Sequence, residues 1–229
     1  MKNKRFKYTG KSVQSYWKTG KMLTKKQLKI FGIFAENTFK EYSFKELKKS
    51  SKEKSNSVMQ DAIKKFLNEN LILEKKIGTS KLYSINHKNK TVYNYLSLFI
   101  NGELPKEVLS SLIILKKEIE KYTFFYSLIM FGSYADSKFT KKSDLDVAII
   151  IPDKKTRKNI EIAINSAGNK SLINLDAHII TTDEFLEMLK ANYENLGKEI
   201  ARKNIPVHNI NIFYKIINKG IENGFKIIP

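Results

Sequence analysis

Apolar residues recur at three- and four-residue intervals from about Thr24 to Asn68, and runs and alternations dominate after about residue 125, a pattern that predicts helices first and a main sheet later. Thr24 precedes Leu28, Phe31, Ile33, Phe34 and Ala35, so a helix is expected from a Thr24 cap to about Asn37. Ser43 stands before Phe44, Leu47 and Lys48 as the cap of a second, short helix. Beyond the polar stretch from Ser50 to Ser55, a third helix is expected from about Asn56 to Asn68. It would bury Val58, Met59, Ala62, Ile63, Phe66 and Leu67 and leave Ser57, Gln60, Asp61, Lys64 and Lys65 outside. Residues 71–77 and 81–85 read as strands joined around Gly78, Thr79 and Ser80, a hairpin with glycine at its turn. Helical spacing resumes from Tyr93 to Phe99 and from Pro105 to Glu120, with Gly102 to Pro105 as the expected hinge.

The chemistry lies further along. Leu128, Ile129, Met130 and Phe131 form a buried-strand run ending at Gly132, where the backbone turns without a Cβ penalty. Ser133 then opens a short helix, and the free amides and positive dipole end of a helix start suit phosphate oxygens. Asp144 and Asp146 flank Leu145 at the head of a second strand through Ile151, and period-two geometry puts both carboxylates on one face. Such a pair repels itself beside an apolar sheet unless a divalent cation neutralises it. Mg²⁺ is the natural candidate, because it takes hard oxygen ligands and shares them with substrate phosphates. A third strand, Asn174 to Ile180, places Leu175, Ala177 and Ile179 on one face and Asp176 on the other, with His178 beside Asp176 as a candidate base. Helices follow from Thr182-Asp183-Glu184 through Leu189, from Asn195 to Ile200, and from Ile210 to Ile221.

Gly132-Ser133 followed by Asp144-x-Asp146, with strands on both sides, resembles the signature of the DNA polymerase beta nucleotidyltransferase superfamily, most closely its minimal nucleotidyltransferase branch. The resemblance covers about Tyr122 to Ile180. It implies an α/β (α+β) domain on a mixed sheet, in which Gly132 and Ser133 bind the triphosphate and Asp144, Asp146 and Asp176 hold the metal. Asp176 would also take a proton from the attacking hydroxyl. The implied reaction moves a nucleoside monophosphate from a nucleoside triphosphate, ATP being the expected one, to a hydroxyl, with Mg²⁺ or in its place Mn²⁺. Two positions depart from the family pattern: Asp136 and Ser137 stand where a basic residue and then a glycine are common. An acid there works against a triphosphate, and a missing glycine stiffens the turn. They favour an alternative, a DNA-binding regulator whose nucleotidyltransferase fold is inactive and senses a ligand or dimerises. A further alternative is an antitoxin-like enzyme that nucleotidylates a toxin partner protein.

Charge sharpens the division of the chain. The net charge is +19, yet residues 1–100 hold 23 Lys or Arg against 7 Asp or Glu, a balance of +16, whereas residues 101–229 hold 19 against 16, or +3. A basic half beside a near-neutral half is the footprint of a nucleic-acid module joined to something else. Three helices and a basic hairpin resemble the winged helix-turn-helix of small transcription regulators, which implies that the third helix enters the major groove and the hairpin forms the wing. Ser57, Gln60, Lys64, Lys65, Lys75, Lys76 and Lys81 are the residues expected on duplex DNA. The expected organisation is a winged helix-turn-helix over 1–100, with a basic extension carrying Phe6, Tyr8, Tyr16 and Trp17, and a nucleotidyltransferase domain over 101–229. The absence of cysteine excludes disulfides and thiolate zinc sites and fits a reducing cytoplasm. No apolar run reaches the length of a membrane helix, so the expected partners are duplex DNA, a nucleoside triphosphate, its acceptor and a second copy in a homodimer, with no membrane.

Overall fold

The Thr24 hydroxyl accepts from the Gln27 amide while the Gln27 side chain accepts from the Thr24 amide, and this reciprocal cap starts α1, Lys25–Phe31. The computed structural model describes residues 22–136, 138–140 and 143–227; the basic arm with Phe6, Tyr8, Tyr16 and Trp17, and Ser137, lie outside the described residues. The single helix expected to about Asn37 is instead two, because α2, Ile33–Glu36, starts anew after Gly32. A Cβ on Gly32 would sit 2.3 Å from the Phe99 ring, so the glycine that weakens the helix also admits that ring. A short strand missed in the sequence, β1 (Tyr42–Ser43), leads into α3 (Phe44–Ser51), where Ser43 and Glu46 form a second capping box, a device worth about 1 kcal/mol. Next come α4 (Asn56–Asn68), β2 (Ile72–Ile77) and β3 (Ser80–Ile85), and the three strands pair antiparallel in the order β1-β3-β2. The third helix matches its expected span.

The next helix, α5 (Thr91–Glu103), is longer than the Tyr93 to Phe99 pattern predicts, and α6 (Lys106–Ile119) follows after only Leu104 and Pro105. Gly102, expected in a hinge, lies inside the last turn of α5, and residue 100 also falls within that helix. β4 (Ser127–Met130) runs into α7 (Gly132–Ala135), then β5 (Leu145–Ile151), α8 (Arg157–Gly168) and β6 (Leu175–Thr181). α9 (Thr182–Lys190) is capped by Thr181 with Glu184, one residue earlier than Thr182. α10 (Leu196–Arg202), β7 (Ile205–His208) and α11 (Ile210–Glu222) complete the order. The second sheet runs β6-β5-β4-β7, with β5 and β6 parallel and the other pairs antiparallel, so it is mixed as expected. The edge strand β7 escaped the sequence reading because it is short and contains Pro206, a residue sheets tolerate at their edges.

Alternation along β4 and β5 divides the interior. Leu128, Met130, Leu145, Val147, Ile149 and Ile151 pack on α6 and α8, while Ile129, Phe131, Ala148 and Ile150 face the other way, into a cluster with α9, α10 and α11. That second cluster also contains Phe31, Phe66, Tyr83 and Leu96, so the two halves share one buried core. Tyr214 of α11 sits at the junction: its ring stacks on Tyr93 at 5.5 Å and 16° and meets Phe39 edge-on at 5.8 Å, and its hydroxyl donates to Asn204. Among the described residues no helix is long and apolar enough to cross a membrane.

Glu118 ties α6 to α8. Hydrogen bonds from Lys121 (2.5 Å), Lys170 (2.7 Å) and Ser166 (2.8 Å) hold its carboxyl down to about 2. A depressed acid contributes stability in full above the unfolded value and loses it as pH falls through the folded one. Urea midpoints of wild type and Glu118→Gln should therefore differ at pH 6 and converge as pH approaches 2; a constant difference would assign the loss to packing rather than charge.

Candidate active site

Phe131 ends the β4 segment with its amide donating to the Asp146 carbonyl at 3.0 Å, which ties the turn after β4 to the start of β5. Gly132 then takes φ +64°, and a Cβ there would lie 2.1 Å from Asp146 Oδ2. Two separate demands, a left-handed backbone and an empty space, thus require glycine at this position. The Ser133 amide donates to the Asp146 carboxylate at the head of α7, so the turn is hydrogen-bonded to the acid it faces.

The parallel register of β5 and β6 sets Asp146 directly opposite Asp176. Neighbouring strands are about 4.8 Å apart, so like charges at this pair are expensive. Burial, then the Asp176 charge, raises the Asp146 carboxyl above its ordinary value; the Ser133 amide opposes the rise, and the Asp144 charge adds to it. Asp144 stands one residue before β5 and is exposed, so strand alternation stops short of it, although its charge still reaches Asp146. Asp176 is exposed, as its alternation predicts. His178 Nε2 lies 3.5 Å from Asp176 Oδ1, and its ring packs on Phe131 at 5.8 Å.

Among the described residues, no three His, Asp or Glu side chains are gathered closely enough to hold a metal by themselves. The arrangement is open: two carboxylates in register with a third alongside. That donor chemistry fits Mg²⁺, which commonly uses one or two carboxylates and completes its shell with substrate phosphates and water.

Asp136 does not stand as a bare negative charge. Lys203, between α10 and β7, donates to its carboxylate at 2.7 Å, and Lys138 lies 3.9 Å away. Nothing in the sequence marks Lys203, because it is 67 positions away and belongs to no motif. Phe139 stacks on Tyr134 at 4.5 Å and 9°, and the Tyr134 hydroxyl donates to the Ser143 carbonyl, so the described part of the loop folds back onto α7. Behind α7 a cavity of about 340 Å³ opens against α5, lined by Phe99, Leu104, Tyr134, Asp136, Phe139 and Lys203.

Of the residues expected on DNA, Ser57, Gln60, Lys64 and Lys65 stand on α4 and Lys75, Lys76 and Lys81 on the β2–β3 hairpin, with Gln60, Lys64 and Lys81 lining one shallow pocket. Ser57, Gln60, Lys64 and Lys76 are exposed. Lys65 is half-buried and pairs with Glu69 at 2.5 Å, so it does not lie on the outer face as expected. Lys75 pairs with Glu41 at 3.2 Å and Lys81 with Glu74 at 3.0 Å. Exposed pairs of this kind contribute at most about 1 kcal/mol and can exchange for a phosphate.

Residues 112–221 match the family model described as the nucleotidyltransferase domain. That segment runs from within α6 to within α11 and contains the whole second sheet together with Gly132, Ser133 and the three aspartates. The class of chemistry this half is similar to is therefore nucleotidyl transfer. No curated protein matches the chain.

Proposed function

We propose that the C-terminal half transfers a nucleoside monophosphate from a nucleoside triphosphate, ATP being the expected one, to a hydroxyl acceptor with release of pyrophosphate. The observation that carries this reading is the Asp146–Asp176 register pair with Gly132 fitted against it. The Gly132-Ser133 turn would orient the triphosphate. Mg²⁺, or Mn²⁺ in its place, would be held mainly by Asp144 and Asp146, with Asp176 completing the site, and when bound would neutralise charge on the transferring phosphoryl group. Asp176, exposed and beside His178, would accept the acceptor's proton. Of the two residues that favour the inactive-regulator alternative, Asp136 is paired with Lys203, while Ser137 lies outside the described residues. Asp176→Asn tests the division of labour. Nucleotide binding with Mg²⁺, followed by calorimetry, should persist, while transfer falls by roughly 10²- to 10⁴-fold. Transfer at the wild-type rate would remove Asp176 from the reaction.

For the N-terminal half we infer a winged helix-turn-helix that binds duplex DNA mainly through phosphates. The order two helices, short strand, two helices, hairpin, with sheet order β1-β3-β2, supports this, as do the exposed residues Ser57, Gln60, Lys64 and Lys76. With about five phosphates neutralised, the full chain should show a slope of log K against log salt of about −4 to −5. A flat response would argue against a phosphate-reading surface.

A further inference from the structure

We propose that the seam between α5 and the β7–α11 turn is a second binding site, one for a phosphate group, separate from the carboxylate site. A cavity of about 520 Å³ lies there, lined by Lys90, Asn94 and Ser97 on one side and Lys116, His208 and Asn211 on the other. None of its lining residues is Asp or Glu. One of its two ammonium groups, Lys90, comes from the basic half of the chain and the other, Lys116, from the nearly charge-balanced half. The lining chemistry is that of anion capture: two cations, amide and hydroxyl donors, and little apolar surface.

The scaffold around the pocket is fixed. Asn209 turns the chain from β7 into α11 with φ +51°; its side-chain amide donates to the Tyr126 carbonyl at 2.7 Å, and its own carbonyl accepts from the Ser127 hydroxyl. Ile210 and Asn211, the first residues of α11, line the same space, and the helix start receives no side-chain cap. Lys116 reaches Glu120 at 3.6 Å, a half-exposed pair that leaves the ammonium with donors for another partner. Burial, then the Lys116 charge, holds His208 below its ordinary value, and the Glu120 charge opposes the fall. Along β4, His208 pairs with Leu128 near the strand's start, whereas Gly132 follows its end, so the pocket and the aspartates occupy opposite ends of the sheet. The ligand would bridge the two halves of the chain, and its phosphate would belong either to a nucleic-acid backbone or to a small phosphorylated molecule.

The test uses the full chain carrying Asp146→Asn, in EDTA, so that metal-dependent binding at the carboxylates is silent. Inorganic phosphate and pyrophosphate are titrated by calorimetry, and a labelled single-stranded oligonucleotide by anisotropy with phosphate as competitor. Lys90→Glu and Lys116→Gln should each weaken binding by about tenfold or more, as loss of a charge-assisted contact implies, whereas Lys88→Glu, exposed and outside the lining, should not. Phosphate binding without oligonucleotide binding identifies a small phosphorylated ligand; oligonucleotide binding that phosphate displaces identifies a nucleic-acid backbone. No binding of either probe, or equal losses in all three lysine variants, overturns the proposal.

Discussion

Asp146→Asn is expected to abolish Mg²⁺-dependent nucleotide binding and, with it, transfer, while making the metal-free protein more stable at neutral pH. Both effects have one origin. Asp146 is held beside Asp176 at a cost that burial increases, and its raised proton affinity records that cost. For an acid raised in the folded state, stability falls as pH rises through the folded value and recovers below the unfolded value of 3.8. Asparagine keeps the shape and the oxygen facing the Ser133 amide but removes the charge, so the penalty disappears across that window together with the attraction for a cation. Melting curves with and without Mg²⁺ and nucleotide measure both arms. A mutant that is less stable without metal and binds nucleotide normally would mean that the pair is a structural feature.

Gly132→Ala should be nearly as damaging to activity, and by a different route. The left-handed backbone at φ +64° costs an alanine about 1–2 kcal/mol, and its methyl group would overlap Asp146 Oδ2 at 2.1 Å. That overlap cannot be absorbed by the far end of a long side chain, because Asp146 Cγ is 2.8 Å and its Cβ 3.2 Å from the same point. Asp146 must swing away from the turn, which separates the carboxylate from the Ser133 amide. The melting temperature should fall by roughly 2–8 °C for a chain of this size, and transfer should be lost even well below it. Gly78→Ala is the matching control, since Gly78 also has a positive φ, +58°, but nothing stands within 4 Å of its missing Cβ. Equal losses of transfer in the two variants would show that the overlap with Asp146 does not matter.

Much of this site was legible in the chain because its signals are local. The run ending at Gly132, the strand from Leu145 and the alternation around Asp176 each read correctly from a few neighbouring residues. Asp144 lies one residue before β5, and alternation does not say whether a strand starts one residue earlier or later. What sequence reading could not supply depends on distant partners. Gly32 leaves room for the Phe99 ring that arrives from α5. Asp136 is paired with Lys203 from beyond α10. The joint core around Tyr214 likewise rests on Phe39, Tyr93 and Asn204, which no periodicity connects. α8 went unread because its pattern is thin, with only Ile160, Ala163 and Ala167 buried.

The central claim is that a nucleotidyl group, rather than a terminal phosphate, leaves the triphosphate at the Asp146–Asp176 pair. Parallel incubations of the purified chain with α-labelled and γ-labelled nucleoside triphosphate, Mg²⁺ and lysate as a source of acceptors test this directly. The account predicts label in an acceptor from the α position only, label from the γ position in released pyrophosphate, and neither in the Asp146→Asn protein. Label entering an acceptor from the γ position, or α-label transferred equally well by Asp146→Asn, would contradict it.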